Sequence, residues 1–473
     1  VRRTSRYLPF CFLVAVLCLH FLLALRHHAR PLITDEHYFV GKARYFAAHG
    51  SFPPASAREL DIVAGRVWGT SDWRPQGYAV FLALVGPLDD PATLRLRVTI
   101  VQFGLITALL VAFYLVAARG TNDLRRLWFA ALLLALSPWP FEFANDIGPD
   151  TVNAFLTGTA LLLSWLWASS AHRGALWLFA ATLVASITLL FRPEMIAMAP
   201  VIAGTAILFR FSWGHVFTAA LAFVLVVSVQ IAYRTQFTGQ PGLFGALRIS
   251  NRGAFDWTRT WIGTEKEAYD YVYAVTEGRP ATLPPRAFAD ASERATIDRA
   301  AQLARDHGYT ESVDQLFANL AAKRRHDHPL LVAGVRALNA IQLWIHLETN
   351  APILQALTPV PRPIRRPILG ALLLLKVAAV VLAVLATIRA IRRWHRGQGD
   401  ALDALTILCA TYILARTLFV GLVLDWRVHR YVLSAWPPLL WCASRISRQS
   451  YDPGGYSEAT RGQVSHSPRT TET

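Results

Sequence analysis

The sequence predicts an all-α polytopic membrane protein: a bundle of about ten transmembrane helices, with juxtamembrane helices on its outer face and a helical periplasmic loop. Three observations carry that expectation. Only 16% of the 473 residues are charged and 54% are hydrophobic, whereas soluble globular chains are about 25% charged. Apolar runs of about 18 residues or more recur between short loops, the length a helix needs to cross a bilayer. Finally, arginine is concentrated in alternate loops. Together these exclude a soluble enzyme, a disordered scaffold and a secreted disulfide protein. The net charge of +16 comes from 43 Arg and 4 Lys against 31 acidic residues. Much of it flanks the apolar runs, as the positive-inside rule requires, and no nucleic-acid motif competes for it.

The expected spans lie at 8–26, 92–118, 127–143, 151–170, 174–191, 194–210, 213–233, 367–391, 401–424 and 430–446. The first has a basic start, like a signal peptide, but no small-x-small cleavage site follows at Arg26–Pro31, so it reads as an uncleaved span. Short loops on one side hold Arg2, Arg3, Arg6, Arg119, Arg125, Arg126, Arg173, Arg210, Arg389, Arg392, Arg393, Arg396, Arg445 and Arg448. Those on the other hold Arg192, Arg427 and Arg430. This asymmetry puts both termini in the cytoplasm and the segments 27–91 and 234–366 outside, in a multi-pass protein of the inner (plasma) membrane. The expected organisation is a transmembrane catalytic module over 1–233, a periplasmic helical loop over 234–366, further spans over 367–446 and a disordered cytoplasmic tail over 447–473.

Within the outer loop, Thr264 and Glu267 form a candidate capping box, and Arg286–His307 and Thr310–Arg325 read as charged soluble helices. Residues 329–349 are apolar enough to resemble another span. However, Arg336, Asn339, Gln342 and His346 recur at spacings of three and four and make a polar stripe. A span there would also throw the Arg389–Arg396 cluster outside, so an amphipathic helix in the outer interface is expected. The four cysteines lie in apolar runs without a CxxC pair, so neither a disulfide in the polar loop nor a cysteine metal site is expected. His326 and His328 read as solvated side chains, and no metal or cofactor is expected.

The chemistry-bearing residues sit at the outer ends of the spans. Asp35 and Glu36 follow the first span and open a helix, where acids are favoured by the dipole. A carboxylate there is either a cap or a general base for an attacking hydroxyl. The run WRPQGYAVFLALVGPL from Trp73 to Leu88 is broken by Pro75 and Gly77 and is too short to span. It reads as a helix returning to the membrane surface with Arg74 at its mouth, a guanidinium suited either to phosphate or to interfacial anchoring. Asp150 opens the fourth span as a cap or a substrate-facing acid, and Arg192 and Glu194 share another outer turn and could pair. Arg430 and Tyr431 open the last span. Lys376 and Arg416 lie inside spans, where cations are expensive and need partners. No acid sits at their depth in those two spans, which makes a lipid phosphate one candidate partner and a water-filled crevice the other. Lys42 and Tyr78 complete the substrate-facing candidates.

The acidic pair after the first span and the RPQGY turn before the second resemble the protein O-mannosyltransferase-like membrane glycosyltransferases of GT-C fold, a group that includes the lipid A aminoarabinose transferases. The resemblance extends to Ser137–Pro140, Asn145–Asp150, Arg192–Glu194 and His429–Tyr431, with Gln76 standing where many relatives have proline. It implies a polyprenyl-phosphate sugar donor, an outer-face active site and inversion at the anomeric carbon. Asp35 would be the catalytic base, Glu36 a supporting residue, and Arg74, Arg192 and Arg430 donor-phosphate ligands. The acceptor would be a hydroxyl or phosphate of lipid A, polysaccharide, lipid or protein. A transporter or flippase of lipid-linked saccharides is the alternative from another class, and a polymerase of lipid-linked glycans shares the same chemistry. Carboxylates at the outer surface rather than the midplane favour the transferase.

Overall fold

The computed structural model describes residues 7–26, 31–32, 34–52, 76–169, 174–209, 212–238, 252–262, 267, 270–271, 273–276, 283–345, 351–422 and 429–445. The described residues are mostly helical, with no strand among them, and six helices are long and apolar enough to cross a membrane. These are α1 (Tyr7–Leu25), α4 (Pro91–Arg119), α6 (Asp150–Ser169), α9 (Trp213–Thr238), α14 (Arg362–His395) and α15 (Ala401–Leu422). The chain is a multi-pass membrane protein.

Local chemistry sets the ends of these helices. Asp90 caps α4 by accepting from the amides of Ala92 and Thr93 at 3.0 and 3.3 Å, and Pro91 takes the first helical position, where its missing N–H costs nothing. At the other end of the bundle, Arg392, Arg393 and His395 occupy the last turn of α14, on the negative end of its dipole. The lipid-facing sides are visible as exposed apolar residues: Trp213, Phe217 and Val229 on α9, and Leu374, Val381 and Val384 on α14. In water such faces would associate; in a bilayer they are solvated by acyl chains.

Four expected spans take a shorter form. The expected helix over 127–143 is α5 (Leu124–Leu136), which ends before Ser137-Pro138 and continues as a 3-10 turn at Trp139–Phe141. The run over 174–191 is α7 (Gly174–Ile187) plus a 3-10 turn at Thr188–Leu190, and 194–210 is α8 (Met195–Phe209). The last run begins as a 3-10 helix, His429–Ala435, and becomes α16 (Trp436–Ser444). Proline explains the breaks at the third and last runs, because it can neither donate in the ladder nor tolerate a helical preceding residue.

Helix α6 lies at the centre, packed against α4, α7, α8 and α15. Helix α1 is locked to α4 and α5: His20 contacts the carbonyl of Ala135 at 3.1 Å and stacks on Phe141, which stacks in turn on Phe103. Two short helices, α2 (Thr34–His49) and α3 (Gly77–Val85), pack on each other at the outer end of α4. Their shared core includes Phe39, Val40, Tyr78, Leu82 and Val98.

The long segment between α9 and α14 folds around a second core. Helices α10 (Arg252–Thr258), α11 (Ala291–His307) and α12 (Glu311–Asp327) enclose Trp257, Trp261, Ile297 and Phe317. The two charged helices expected from the sequence are therefore present. Glu267 pairs with Arg286, while Thr264, the other half of the expected capping box, lies outside the described residues. Buried Arg324 on α12 grips Glu293 on α11 through Nε at 2.6 Å and a terminal nitrogen at 2.8 Å. His326 and His328 are exposed. Helix α13 (Pro329–Ile345) forms as expected and turns Leu331, Leu338 and Ile341 outward, while Asn339 is buried against the bundle. Val332, Leu343 and Trp344 are buried with Asn339, while Arg336 and Gln342 of the polar stripe are half-buried. Trp344 donates to Thr417 of α15 at 3.0 Å.

Gly253 sets the closest approach in the outer unit. A Cβ there would fall inside contact of the Asp314 backbone carbonyl, which no rotamer change can relieve. Gly253→Ala should therefore loosen the packing of α10 on α12 by about 1–3 kcal/mol. Limited proteolysis should cut 252–327 faster in the variant while helix content is unchanged. Wild-type resistance would show that the two helices part freely.

Candidate active site

The end of the bundle that carries α2 and α3 is organised by a buried ion pair. Glu36, in the first turn of α2, faces Arg95, in the first turns of α4. The guanidinium donates to both carboxylate oxygens, at 2.8 and 2.6 Å, and both side chains are essentially inaccessible. Each partner has a further bond: Glu36 accepts from the amide of Ile147 at 3.0 Å, and Arg95 donates to the carbonyls of Asn145 and Pro31 at 3.2 and 3.1 Å. One turn-pair along α4, Gln102 donates to the carbonyls of Ala144 and Asp146 at 3.1 and 2.8 Å. The irregular segment between α5 and α6 is thus pinned by side chains of α2 and α4, as buried non-helical backbone requires.

That segment delivers Asp150 to a second network. Asp150, the first residue of α6, pairs with Arg192 in the turn before α8. Arg192 also approaches Glu194 at 4.0 Å, and Glu194 accepts from Arg416 of α15 at 3.1 Å. All four are buried. Two acids and two arginines therefore alternate across α6, the α7–α8 turn and α15. One turn from Arg416, the hydroxyls of Tyr412 and Ser434 lie 2.6 Å apart and tie α15 to the 3-10 helix that carries Arg430 and Tyr431.

The RPQGY turn meets this network through its glycine. A Cβ at Gly77 would lie 2.6 Å from the carbonyl of Leu190, two residues before Arg192. Glycine here is what lets α3 seat against that turn. Gln76 accepts from Gln230 of α9 at 3.1 Å, and Tyr233 accepts from the amide of Phe52 at 3.0 Å. Arg234 is buried at the same end of α9. Tyr78 is buried edge-on against Phe39, its hydroxyl 3.5 Å from Gln102. Burial first, and then the negative charge of Glu36, push its pKa well above the usual value, so it stays a neutral donor.

Lys376 occupies a separate position. Its ammonium lies 5.5 Å from the ring of Trp139 and 5.0 Å from that of Trp436, and the carboxylate of Glu142 acts on it electrostatically. The acids nearest these two cations, Glu142 for Lys376 and Glu194 for Arg416, come from the turns before α6 and α8 rather than from the two spans themselves.

Of the residues singled out in the sequence, Asp150, Arg192 and Arg416 are brought together with Glu194. Glu36 is a brace, with both carboxylate oxygens engaged. Lys42 is buried on α2. Asp35 lies in the first turn of α2 and Arg430 and Tyr431 in the 3-10 helix, but their side chains, and the whole of Arg74, lie outside the described residues. Arg95, Gln102, Glu142 and Arg234 were not foreseen. Arg95 and Gln102 had a readable signal: two polar residues seven apart, hence on one face, in a long apolar helix.

No protein-family model matches the chain, and no curated protein matches it in sequence. Among solved structures it is similar to the Archaeoglobus fulgidus oligosaccharyltransferase in complex with Zn and sulfate, at 12% identity over 90% of this chain and 48% of that one, with a TM-score of 0.43. It is also similar to ArnT from Cupriavidus metallidurans bound to undecaprenyl phosphate, at 13% identity over 91% of this chain and 77% of that one, with a TM-score of 0.31. The chain spans about half the length of the oligosaccharyltransferase.

Glu36→Gln keeps the shape of the brace and leaves a buried, uncompensated guanidinium, which costs about 3–5 kcal/mol. The variant should lose thermal stability in detergent, and Glu36→Gln with Arg95→Met should recover much of it. Equal midpoints for wild type and Glu36→Gln would mean that the pair does not hold the outer end together.

Proposed function

We propose that the protein is a membrane glycosyltransferase of GT-C type. It moves a sugar from a polyprenyl-phosphate donor to an acceptor on the outer face of the inner membrane, with both termini in the cytoplasm. The observation that carries this reading is the meeting, at one end of the bundle, of the helix start bearing Asp35 with the Asp150–Arg192–Glu194–Arg416 network. A lipid-linked phosphate needs cations at the membrane surface, an acceptor hydroxyl needs a base, and both must meet there.

In the proposed reaction Asp35 takes the proton of an acceptor hydroxyl as its oxygen attacks the anomeric carbon. The bond to the lipid phosphate breaks, and the phosphate leaves with the electron pair, so configuration inverts. It needs no proton at neutral pH, and arginines stabilise it in place. Arg74, Arg192 and Arg430 are the proposed ligands. Arg192 already holds two carboxylates, so the incoming phosphate exchanges with one of them rather than filling an empty site. Glu36 fixes the register of α2, and with it the position of the residue before it, about 100° away around the axis. An acceptor phosphate, on lipid A for example, would attack without deprotonation. Lys42, Tyr78, Asp150, Lys376, Arg416 and Tyr431 are proposed to face or support the substrates.

Asp35→Asn separates capping from catalysis, because Asn caps a helix as well as Asp but cannot take a proton. Assayed with labelled polyprenyl-phosphate sugars in liposomes, it should fold and bind donor yet turn over about a hundredfold or more slower. Full activity would remove the proposed base and leave Asp150 as the carboxylate to test.

Arg74→Ala and Arg430→Ala should each lower kcat/KM by about ten- to a hundredfold, the loss of a charge-assisted contact worth about 1.5–3 kcal/mol. Lysine should restore only part, since a point charge replaces a bidentate fork. Wild-type kinetics in both alanine variants would exclude them from the donor site.

A further inference from the structure

The opposite end of the bundle carries a feature that the transfer reaction does not use. A cleft lies among the ends of α4, α5, α14, α15 and α16. Its wall carries four guanidinium groups, Arg126, Arg389, Arg393 and Arg445, and one carboxylate, Asp403. Leu127, Ala130 and Ala386 supply apolar lining.

We propose that this cleft binds a phosphate group, and that its natural occupant is the headgroup of an anionic phospholipid. Three observations support this. The arginines come from three helix ends far apart in sequence, α5, α14 and α16, yet line a single cavity. Three of them, Arg126, Arg393 and Arg445, are half-buried. Arginines that only fix orientation by the positive-inside rule need neither convergence nor burial. The acids nearby do not cancel the charge. Asp123 lies 3.4 Å from Arg126, and Asp400 and Asp403 lie 3.5 and 3.3 Å from Arg393. Asp123 and Asp400 are also occupied as helix caps, accepting from the amides of Arg125 and of Leu402 and Asp403. Four guanidiniums against three carboxylates leave an excess of one positive charge, which suits a phosphodiester monoanion. Lastly, the chemistry fits. Guanidinium forks match phosphate oxygens in pairs, and the apolar lining at Leu127, Ala130 and Ala386 suits a glycerol backbone and the start of acyl chains. Basic pockets between transmembrane helices bind anionic headgroups by the same logic.

The test uses the full-length protein in detergent and native mass spectrometry, with phosphatidylglycerol and phosphatidylcholine at equal concentration. Wild type should retain one phosphatidylglycerol with about tenfold preference. Arg389→Gln with Arg393→Gln should reduce that preference to near unity. Should the double variant fail to fold, Arg389→Gln alone carries the test, because Arg389 is exposed. Arg392→Gln with Arg396→Gln removes the same charge from the same helix end outside the cleft and should leave the preference intact. In a second arm, inorganic phosphate is titrated against thermal stability. Stabilisation of wild type but not of Arg389→Gln/Arg393→Gln, without lipid retention, would keep the phosphate site and assign it to a soluble ligand. The proposal is overturned if wild type shows neither lipid preference nor a phosphate response, or if the control pair abolishes binding as fully as the cleft pair.

Discussion

The contact on which the α2-bearing end of this molecule depends is the bidentate pair between Glu36 and Arg95. It fixes the register of three pieces of chain that also share an apolar core: a short helix, the start of a 29-residue span and the irregular turn before α6. A buried pair of this kind is a poor source of net stability, because desolvating both charges offsets most of their attraction. Its value lies in the asymmetry. Either charge alone in that environment is strongly unfavourable, so arrangements of α2 that separate them are excluded. Apolar packing of α2 on α3 could slide; the ion pair cannot.

The same constraint runs through the rest of that end. Where a helix stops inside or near the hydrocarbon, its carbonyls and amides must find partners other than water. Between α5 and α6 those partners are side chains of a neighbouring span: Arg95 and Gln102 reach the carbonyls of Asn145, Ala144 and Asp146. Two polar residues on α4 thus allow about a dozen residues to leave the helix, and leaving it carries Glu142 to Lys376 and Asp150 to Arg192. The backbone break and the charged network are one device. Gly77 serves it from the other side, since only a residue without a Cβ lets α3 close on the turn preceding Arg192.

Much of this was legible in the sequence, and the reasons for success and failure are physical. Long apolar runs and arginine asymmetry identify α1, α4, α6, α9, α14 and α15, because length against bilayer thickness is a strong local signal. The polar stripe at Arg336, Asn339 and Gln342 marks α13 as amphipathic, although hydropathy cannot say that Asn339 is the member that is buried. The prolines at 138, 140, 437 and 438 were visible too, and they mark where hydropathy overestimates helix length: α5 stops at Leu136, and α16 begins only at Trp436. The pairings are another matter. Arg95 and Glu36 are 59 residues apart, and Arg416 and Glu194 are 222 apart. Such partners are chosen by the three-dimensional packing of spans, so the intramembrane cations could be recognised as needing acids without showing which acids serve them.

The two ends of the bundle manage positive charge in opposite ways, and that contrast bears on what each can bind. At the end that carries α2 and α3, Arg95, Arg192, Arg416 and Lys376 face nearby carboxylates in Glu36, Asp150, Glu194 and Glu142. The network is close to neutral and its arginines are held in place before any ligand arrives. An anion entering it gains little from bulk charge and must instead trade places with a carboxylate, which costs the protein an existing bond. Binding there is consequently selective for a group that offers better geometry than the resident acid. A tetrahedral phosphate, with three oxygens to present, does so where a second carboxylate would not. At the other end the arginines exceed the acids, and attraction is long-range, limited by the roughly 10 Å screening length of physiological salt. An excess of charge suits a ligand that should remain bound. A matched network suits one that must arrive, react and leave, as the proposed donor does in every turnover.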